Sequence, residues 1–336
     1  MPALFRSPLT VFSFLLVVAL FVVTAIFTLE VHLTARSPDR NVVAPVVAII
    51  PFPVGVDPKY KSIIENLAVD SYMIDNLAID IRSESEKNLA ERLLSKLQKA
   101  NVFQQLAAAI ASTLVVYPGQ RKEEVAKNFA EVLGWEDNER VVFQDLITSS
   151  IPELSEGKFF PGRYSVPRGA TPEVVAALII SEFSTEVMDR YDASVEDVVP
   201  LQDTLIIASL LEREAYDFVD MRIISGIIWN RLFINMPLQL DASLQYAKGS
   251  LLSERKWWPQ IKPSDKYIES PFNTYQETGL PPAPIANPSL EAVVAALNPK
   301  VTSCLFYFHE DDGTFHCSDT YEEHVAWLRA LYGQGS

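Results

Sequence analysis

Between Leu9 and Leu29 the chain carries no charged side chain and is dominated by Val, Leu and Phe. A helix needs about 20 apolar residues to cross the hydrocarbon core of a bilayer, and this run supplies them. The pattern predicts one transmembrane helix over residues 9–29, behind a short cytoplasmic tail of residues 1–8. A cleaved signal peptide is the competing reading, but the run exceeds the ~7–15-residue apolar core of such peptides. Arg6 precedes the span while Arg36 and Arg40 follow it, so positive charge alone does not orient it. No later segment is apolar over a sufficient length to cross, which leaves the rest of the chain on one side of the membrane.

Residues 30–60, with Pro45, Pro51 and Pro53, read as an extended tether or edge strand, because Pro withholds a backbone donor. A loose repeat follows, made of a short β-prone stretch, a polar turn and a helix with the register apolar-Ala-x-x-apolar. Its first copy joins Ile79-Asp80-Ile81 to Leu89, Ala90 and Leu93, and its second joins Val115-Val116-Tyr117 to Val125, Ala126 and Phe129. A weaker third joins Tyr164-Ser165-Val166 to Val175, Ala176 and Ile179. These predict small strand-helix modules over 61–153 ahead of a mixed domain over 154–336, and hence an α+β protein. Modules of this kind either bind glycans or only pack the protein together.

From Leu201 the texture changes to long helices. Leu205 to Leu211 is almost wholly apolar, the mark of a buried helix, and Glu212 and Glu214 stand at the end of its dry stretch. Two positions apart on a helix is about 200° of rotation, so the two carboxyls cannot share a face. One can enter a cleft while the other points elsewhere, towards Arg213 or Arg222. Aliphatic neighbours raise a carboxyl pKa by desolvation, which lets the group keep a proton near neutrality and donate it to a leaving oxygen. That makes Glu214 the candidate acid of a single-acid glycosidase. Downstream, Asn230, Arg231, Gln239, Asp241 and Tyr246 offer side chains that hydrogen-bond sugar hydroxyls and acetamido groups, or that cap helices. Ser270 to Ile285 carries Asn273, Thr274 and Tyr275 and is rich in Pro, so it reads as a rigid loop suited to a substrate wall.

Charge and composition narrow the classes. The formal net charge of -15 argues against nucleic acid, whose phosphates need clustered Lys and Arg. Cys304 and Cys317 are the only cysteines; they flank a hairpin signal at Asp312-Gly313 and form either one bridge or two buried thiols. His309, His316 and His324 match no zinc-ligand spacing, and Ser165, Ser209 and Ser225 lack a nucleophile-elbow context. Neither a metal nor another cofactor is expected.

The segments Ala208-Ser209-Leu210-Leu211-Glu212-Arg213-Glu214, Met236-Pro237-Leu238-Gln239 and Ser270 to Pro288 resemble the endolytic murein transglycosylase, or YceG-like, family. Glu156-Gly157-Lys158-Phe159-Phe160-Pro161 with Tyr164 resembles the entrance motif of the same family, and the likeness runs from about Leu114 to Trp327. Residues 61–111 match it poorly and read as lineage-specific. The resemblance implies LysM-like modules and an extracytoplasmic body behind an N-terminus-inside anchor in the cell membrane. It also implies non-hydrolytic cleavage within the glycan strands of peptidoglycan between N-acetylmuramic acid and N-acetylglucosamine, leaving 1,6-anhydro ends.

Glu214 falls on the family's catalytic acid. Glu212, Asn230, Gln239, Asp241, Asn273 and Tyr275 fall on motif positions assigned to holding the sugar or supporting the acid. Arg231 is suited to a peptide-stem carboxylate. Two departures stand out. Ala215 follows the Glu pair where the family often has Thr, and Phe315-His316-Cys317 replaces a His-x-Phe pattern, which turns His316 to the opposite strand face. The rival reading is a membrane-tethered scaffold without catalysis that binds glycan and cell-wall synthesis or division proteins. A hydrolase using Asp241 as a second carboxylate is a third.

Overall fold

The computed structural model describes residues 50–66, 68–73, 111–149, 151–251 and 256–333. The expected membrane span, most of the tether and the first repeat copy lie outside these residues. Among the described residues, no helix is long and apolar enough to cross a membrane. The end of the segment expected as an extended tether or edge strand includes a short strand. Phe52 and Val56 are buried, Phe52 packs edge-on against Tyr191, and strands β1 (Val56–Asp57) and β2 (Ser62–Ile63) form a small hairpin. Apolar side chains at these two positions draw the segment into the core.

Strand β3 (Ala111–Val116) shows why the second and third repeat copies look alike. It pairs antiparallel with β4 (Gly162–Pro167), with Leu114 opposite Tyr164 and Ser112 opposite Val166. The copies are thus two edges of one sheet, and the expected division at 153/154 falls inside this unit. Between the strands run α1 (Lys122–Leu133) and α2 (Asp137–Thr148), and α3 (Pro172–Glu186) follows β4. Helix α1 turns Val125, Ala126, Phe129 and Ala130 inward, and Gly134 ends it in the left-handed conformation that glycine adopts without penalty. Pro172 suits the first position of α3, where no backbone donor is needed. Together these elements enclose one core that runs from Leu114 to Ile179. Phe129, Phe143 and Phe159 lie fully inside it, and burial of each such side chain is worth roughly 1.5–3 kcal/mol.

The second core is built on α4 (Leu201–Glu214), which buries every residue from Thr204 to Leu211. It packs with α5 (Phe218–Phe233) and with α7 (Leu290–Leu297), whose residues from Ala292 to Leu297 are all buried. Helix α6 (Asp241–Leu251) lies between α5 and α7 in the chain. The hairpin β5 (Phe306–His309) and β6 (Phe315–Ser318) and the terminal α8 (Tyr321–Tyr332) close the order. Gly226 lets the chain approach α5 closely, since a Cβ there would stand 2.3 Å from the Lys300 carbonyl oxygen.

Asn287, fully buried, joins the two cores. Its backbone exchanges hydrogen bonds with Gly119 and Gln120, each 2.9 Å long, and its Nδ2 donates to the Gln120 carbonyl. Its Oδ1 accepts from the backbone N–H of Gly157 at 3.1 Å and of Phe159 at 3.0 Å. Asn287→Ala strands these buried donors without a partner, at a cost of about 1–3 kcal/mol for such a group. Thermal unfolding of the full chain is expected to show a lower Tm for Asn287→Ala, while Val301→Ala on the exposed surface leaves it near wild type.

Candidate active site

Only three residues separate α4 from α5, and this short turn sets the site. Asp217 caps α5 by accepting from the Asp220 N–H, so Glu214 at the end of one helix and Asp220 in the first turn of the next stay close along the chain. Glu214 is half-buried as a residue, but its carboxyl is enclosed by protein. Oε1 accepts from the backbone N–H of Ala242 at 3.1 Å, and Oε2 accepts from the Tyr307 hydroxyl at 3.0 Å. Ala242 lies in the first turn of α6, where backbone donors have no helical partner. Desolvation pushes the Glu214 pKa up and the nearby Asp241 charge adds to that; the two hydrogen bonds and His309 pull it down, leaving a net rise.

This carboxyl faces a cleft of about 550 Å³ walled by the 238–241 segment, Tyr275, strand β5 and the start of α8. Of the ten residues expected there, Glu214, Arg231, Gln239, Asp241 and Tyr275 line it. The Tyr275 hydroxyl donates to Asp241 Oδ1 at 2.6 Å. Gln239 sits at φ 53, a left-handed conformation uncommon outside glycine, with its N–H tied to the Thr274 carbonyl at 2.9 Å. Arg231 donates from Nε to the Leu305 carbonyl at 2.6 Å and from Nη1 to those of Pro237 and Leu238. It therefore braces two walls of the cleft against each other.

Glu212, Asn230, Tyr246, Asn273 and Thr274 lie elsewhere. Glu212 turns away as its helical spacing requires. Its Oε2 accepts from Ser289 N at 2.8 Å and Ser289 Oγ at 2.5 Å, at the cap of α7. Asn230 Nδ2 donates to the Thr302 carbonyl at 2.8 Å and holds the entry to the hairpin. Tyr246 packs against Phe272 and under the Arg121 guanidinium, 4.1 Å from the ring centre. Asn273, fully buried, donates to the carbonyls of Lys266 and Ile268 and shapes its own loop. Thr274 Oγ1 accepts from Leu240 N and bonds Ser243 Oγ, which fixes the 238–241 wall. These side chains carry scaffold bonds that a polar sugar-binding residue and a structural one satisfy equally well in sequence.

Tyr307, His309 and Asp220 were missed. Tyr307 and His309 are two apart on β5 and so share a strand face, a signal present in the alternation of Phe306-Tyr307-Phe308-His309. His309 Nε2 lies 2.8 Å from Asp220 Oδ2. His316 instead stacks on Phe308 and bonds Glu310, as its displaced register requires. Cys304 and Cys317 are bridged across the base of this hairpin, with Cα atoms 5.8 Å apart. Among the described residues, no group of three or more His, Cys, Asp or Glu is placed to hold a metal.

Residues 61–330 match the YceG-like family as a whole. The chain belongs to the YceG-like family. The bounds of the match take in residues 61–111, the stretch expected to be lineage-specific. A Bacillus subtilis (strain 168) protein named endolytic murein transglycosylase is 31% identical over 227 residues, covering 66% of this chain and 60% of that protein. A Streptococcus pneumoniae serotype 2 protein of the same name is 29% identical over 170 residues, half of this chain and 31% of its own length. This YceG-like chain thus spans 60% of the first relative and 31% of the second, less than two thirds of either. The crystal structure of a putative yceG-like protein from Listeria monocytogenes shares its fold, with a TM-score of 0.55 at 24% identity, covering 64% of this chain and 75% of that one.

The Tyr307 hydroxyl favours the ionised form of Glu214. Tyr307→Phe removes that bond, so the Glu214 pKa rises further and the acid keeps its proton to higher pH. A titration of Glu214 by carboxyl-selective NMR is expected to show its midpoint moved upward in Tyr307→Phe; an unchanged or lower midpoint would contradict the contact.

Proposed function

We propose that this chain is a membrane-anchored lytic transglycosylase that cuts within peptidoglycan glycan strands, with Glu214 as its single general acid and base. The observation that carries this reading is the desolvated Glu214 carboxyl facing the cleft, its pKa raised by burial. The protonated group gives its proton to the bridging oxygen as the bond from that oxygen to C1 of N-acetylmuramic acid breaks. The resulting carboxylate takes the proton of the muramyl 6-hydroxyl, whose oxygen closes on C1. The products are a 1,6-anhydro end and a free 4-hydroxyl on N-acetylglucosamine. The acid is regenerated and no water is consumed.

Several features support the rest of the proposal. The names of the two relatives point to murein as the substrate class. The Cys304–Cys317 bridge suits an oxidising, extracytoplasmic setting, and residues 9–29 have the length and composition of an anchor. Asp241 shares the cleft but is engaged by Tyr275, which positions it to orient substrate hydroxyls. The β3-α1-α2-β4 unit is the LysM-like part, and a glycan strand leaving the cleft is its proposed ligand.

Glu214→Gln keeps the volume and removes the transferable proton. Mass spectrometry of strands incubated with the full chain is expected to show anhydro-ended fragments with wild type and a loss on the order of a thousandfold or more with Glu214→Gln. Reducing ends would instead support a hydrolase that uses Asp241. Binding without fragments would support the scaffold.

A further inference from the structure

Asp220 is an expensive residue to keep where it is. It is 8% exposed, and its Oδ2 accepts from the Tyr216 N–H at 2.9 Å and meets His309 Nε2 at 2.8 Å. Its Oδ1 is buried with no hydrogen-bond partner among the described residues. A buried carboxylate in this state is costly unless a positive charge stands against it. His309 is the group in place to supply that charge. Its ring is held edge-on by Tyr216 at 4.8 Å and by Phe315 at 5.3 Å. With Nε2 engaged by Asp220, Nδ1 is the remaining ring nitrogen, and taking up a proton there makes the ring a cation on the cleft wall.

The geometry points to His309, held by Asp220, as a positioning residue for the Glu214–Tyr307 pair: it braces Tyr307 against the acid and supplies the positive charge that balances the carboxylate left after proton delivery. This rests on the reading of Glu214 as the general acid. Tyr307 and His309 project from the same face of β5 with ring centres 6.2 Å apart, and Phe315 on β6 packs against both. The titratable groups facing His309 are Asp220 from α5, Tyr216 from the α4–α5 turn, Tyr307 from its own strand and Glu214 from α4. Asp241 opposes it, since a second negative charge near Glu214 disfavours the carboxylate that His309 favours. Of the other cations lining the cleft, Arg231 has Nε and Nη1 engaged by main-chain carbonyls and Lys266 lies over the Tyr275 ring.

The test is a carbon-13 titration of the glutamate carboxyls of the full chain in wild type and His309→Gln, with Glu214→Gln to assign the resonance. His309 pulls the Glu214 pKa down, so charge coupling predicts that the Glu214 midpoint rises in His309→Gln. A Glu214 midpoint unchanged or lower in His309→Gln would overturn the proposal, leaving a purely structural pair. On glycan strands, His309→Gln is expected to lower kcat about tenfold or more with KM within about twofold. A folded His309→Gln with wild-type kcat would overturn it as well. Should wild type release no anhydro-ended fragments, the reading of Glu214 fails while the titration still decides the coupling.

Discussion

The structure depends on taking the end of one helix out of water. Helix α4 is dry from Thr204 to Leu211, and a helix buried to its last turn carries whatever stands there into a low-dielectric setting. Glu214 stands there. Removing a carboxyl from water favours its neutral form, and the neighbouring elements decide how far. The first turn of α6 and the Tyr307 hydroxyl each offer one donor, while Asp241 offers a charge of the same sign. The balance leaves a carboxyl with a raised pKa and with partners ready for the carboxylate that forms once the proton is gone.

Those partners are fixed by bonds made some distance from the carboxyl. Thr274 and Gln239 tie the 238–241 wall to the Pro-rich loop, and Arg231 ties the same wall to the start of β5. Asn230 and the Cys304–Cys317 bridge hold the base of the hairpin that presents Tyr307 and His309. On the far side of α4, Glu212 clamps the cap of α7 through Ser289. One glutamate of the pair thus secures the helix to the core while the other faces the cleft, a division of labour that the 200° offset between them imposes.

Glu214 was legible because an uninterrupted apolar run ending in a carboxylate has few physical outcomes. Asp241, Gln239 and Tyr275 were legible as polar residues beside breaks in helical pattern. Tyr307 was not, because its contact with Glu214 spans 93 residues of chain and depends on how a short hairpin docks, which no local pattern encodes. Tyr246 and Asn273 were placed in the cleft for the converse reason: an aromatic hydroxyl and an amide suit a sugar as well as they suit Arg121 or a loop carbonyl. The second and third repeat copies look alike because two strand-helix pairs of one sheet have the same spacing in sequence as two tandem modules. Only the pairing of Leu114 with Tyr164 distinguishes them.

The central claim is that burial raises the Glu214 pKa above the ordinary carboxyl value. Carbon-13 labelling of glutamate carboxyls in the full chain, with Glu214→Gln to assign the resonance, measures this directly. The account predicts a Glu214 midpoint clearly above 4.5 in the resting protein. A midpoint at or below 4.5 would contradict it, because a carboxylate already ionised there has no proton to give.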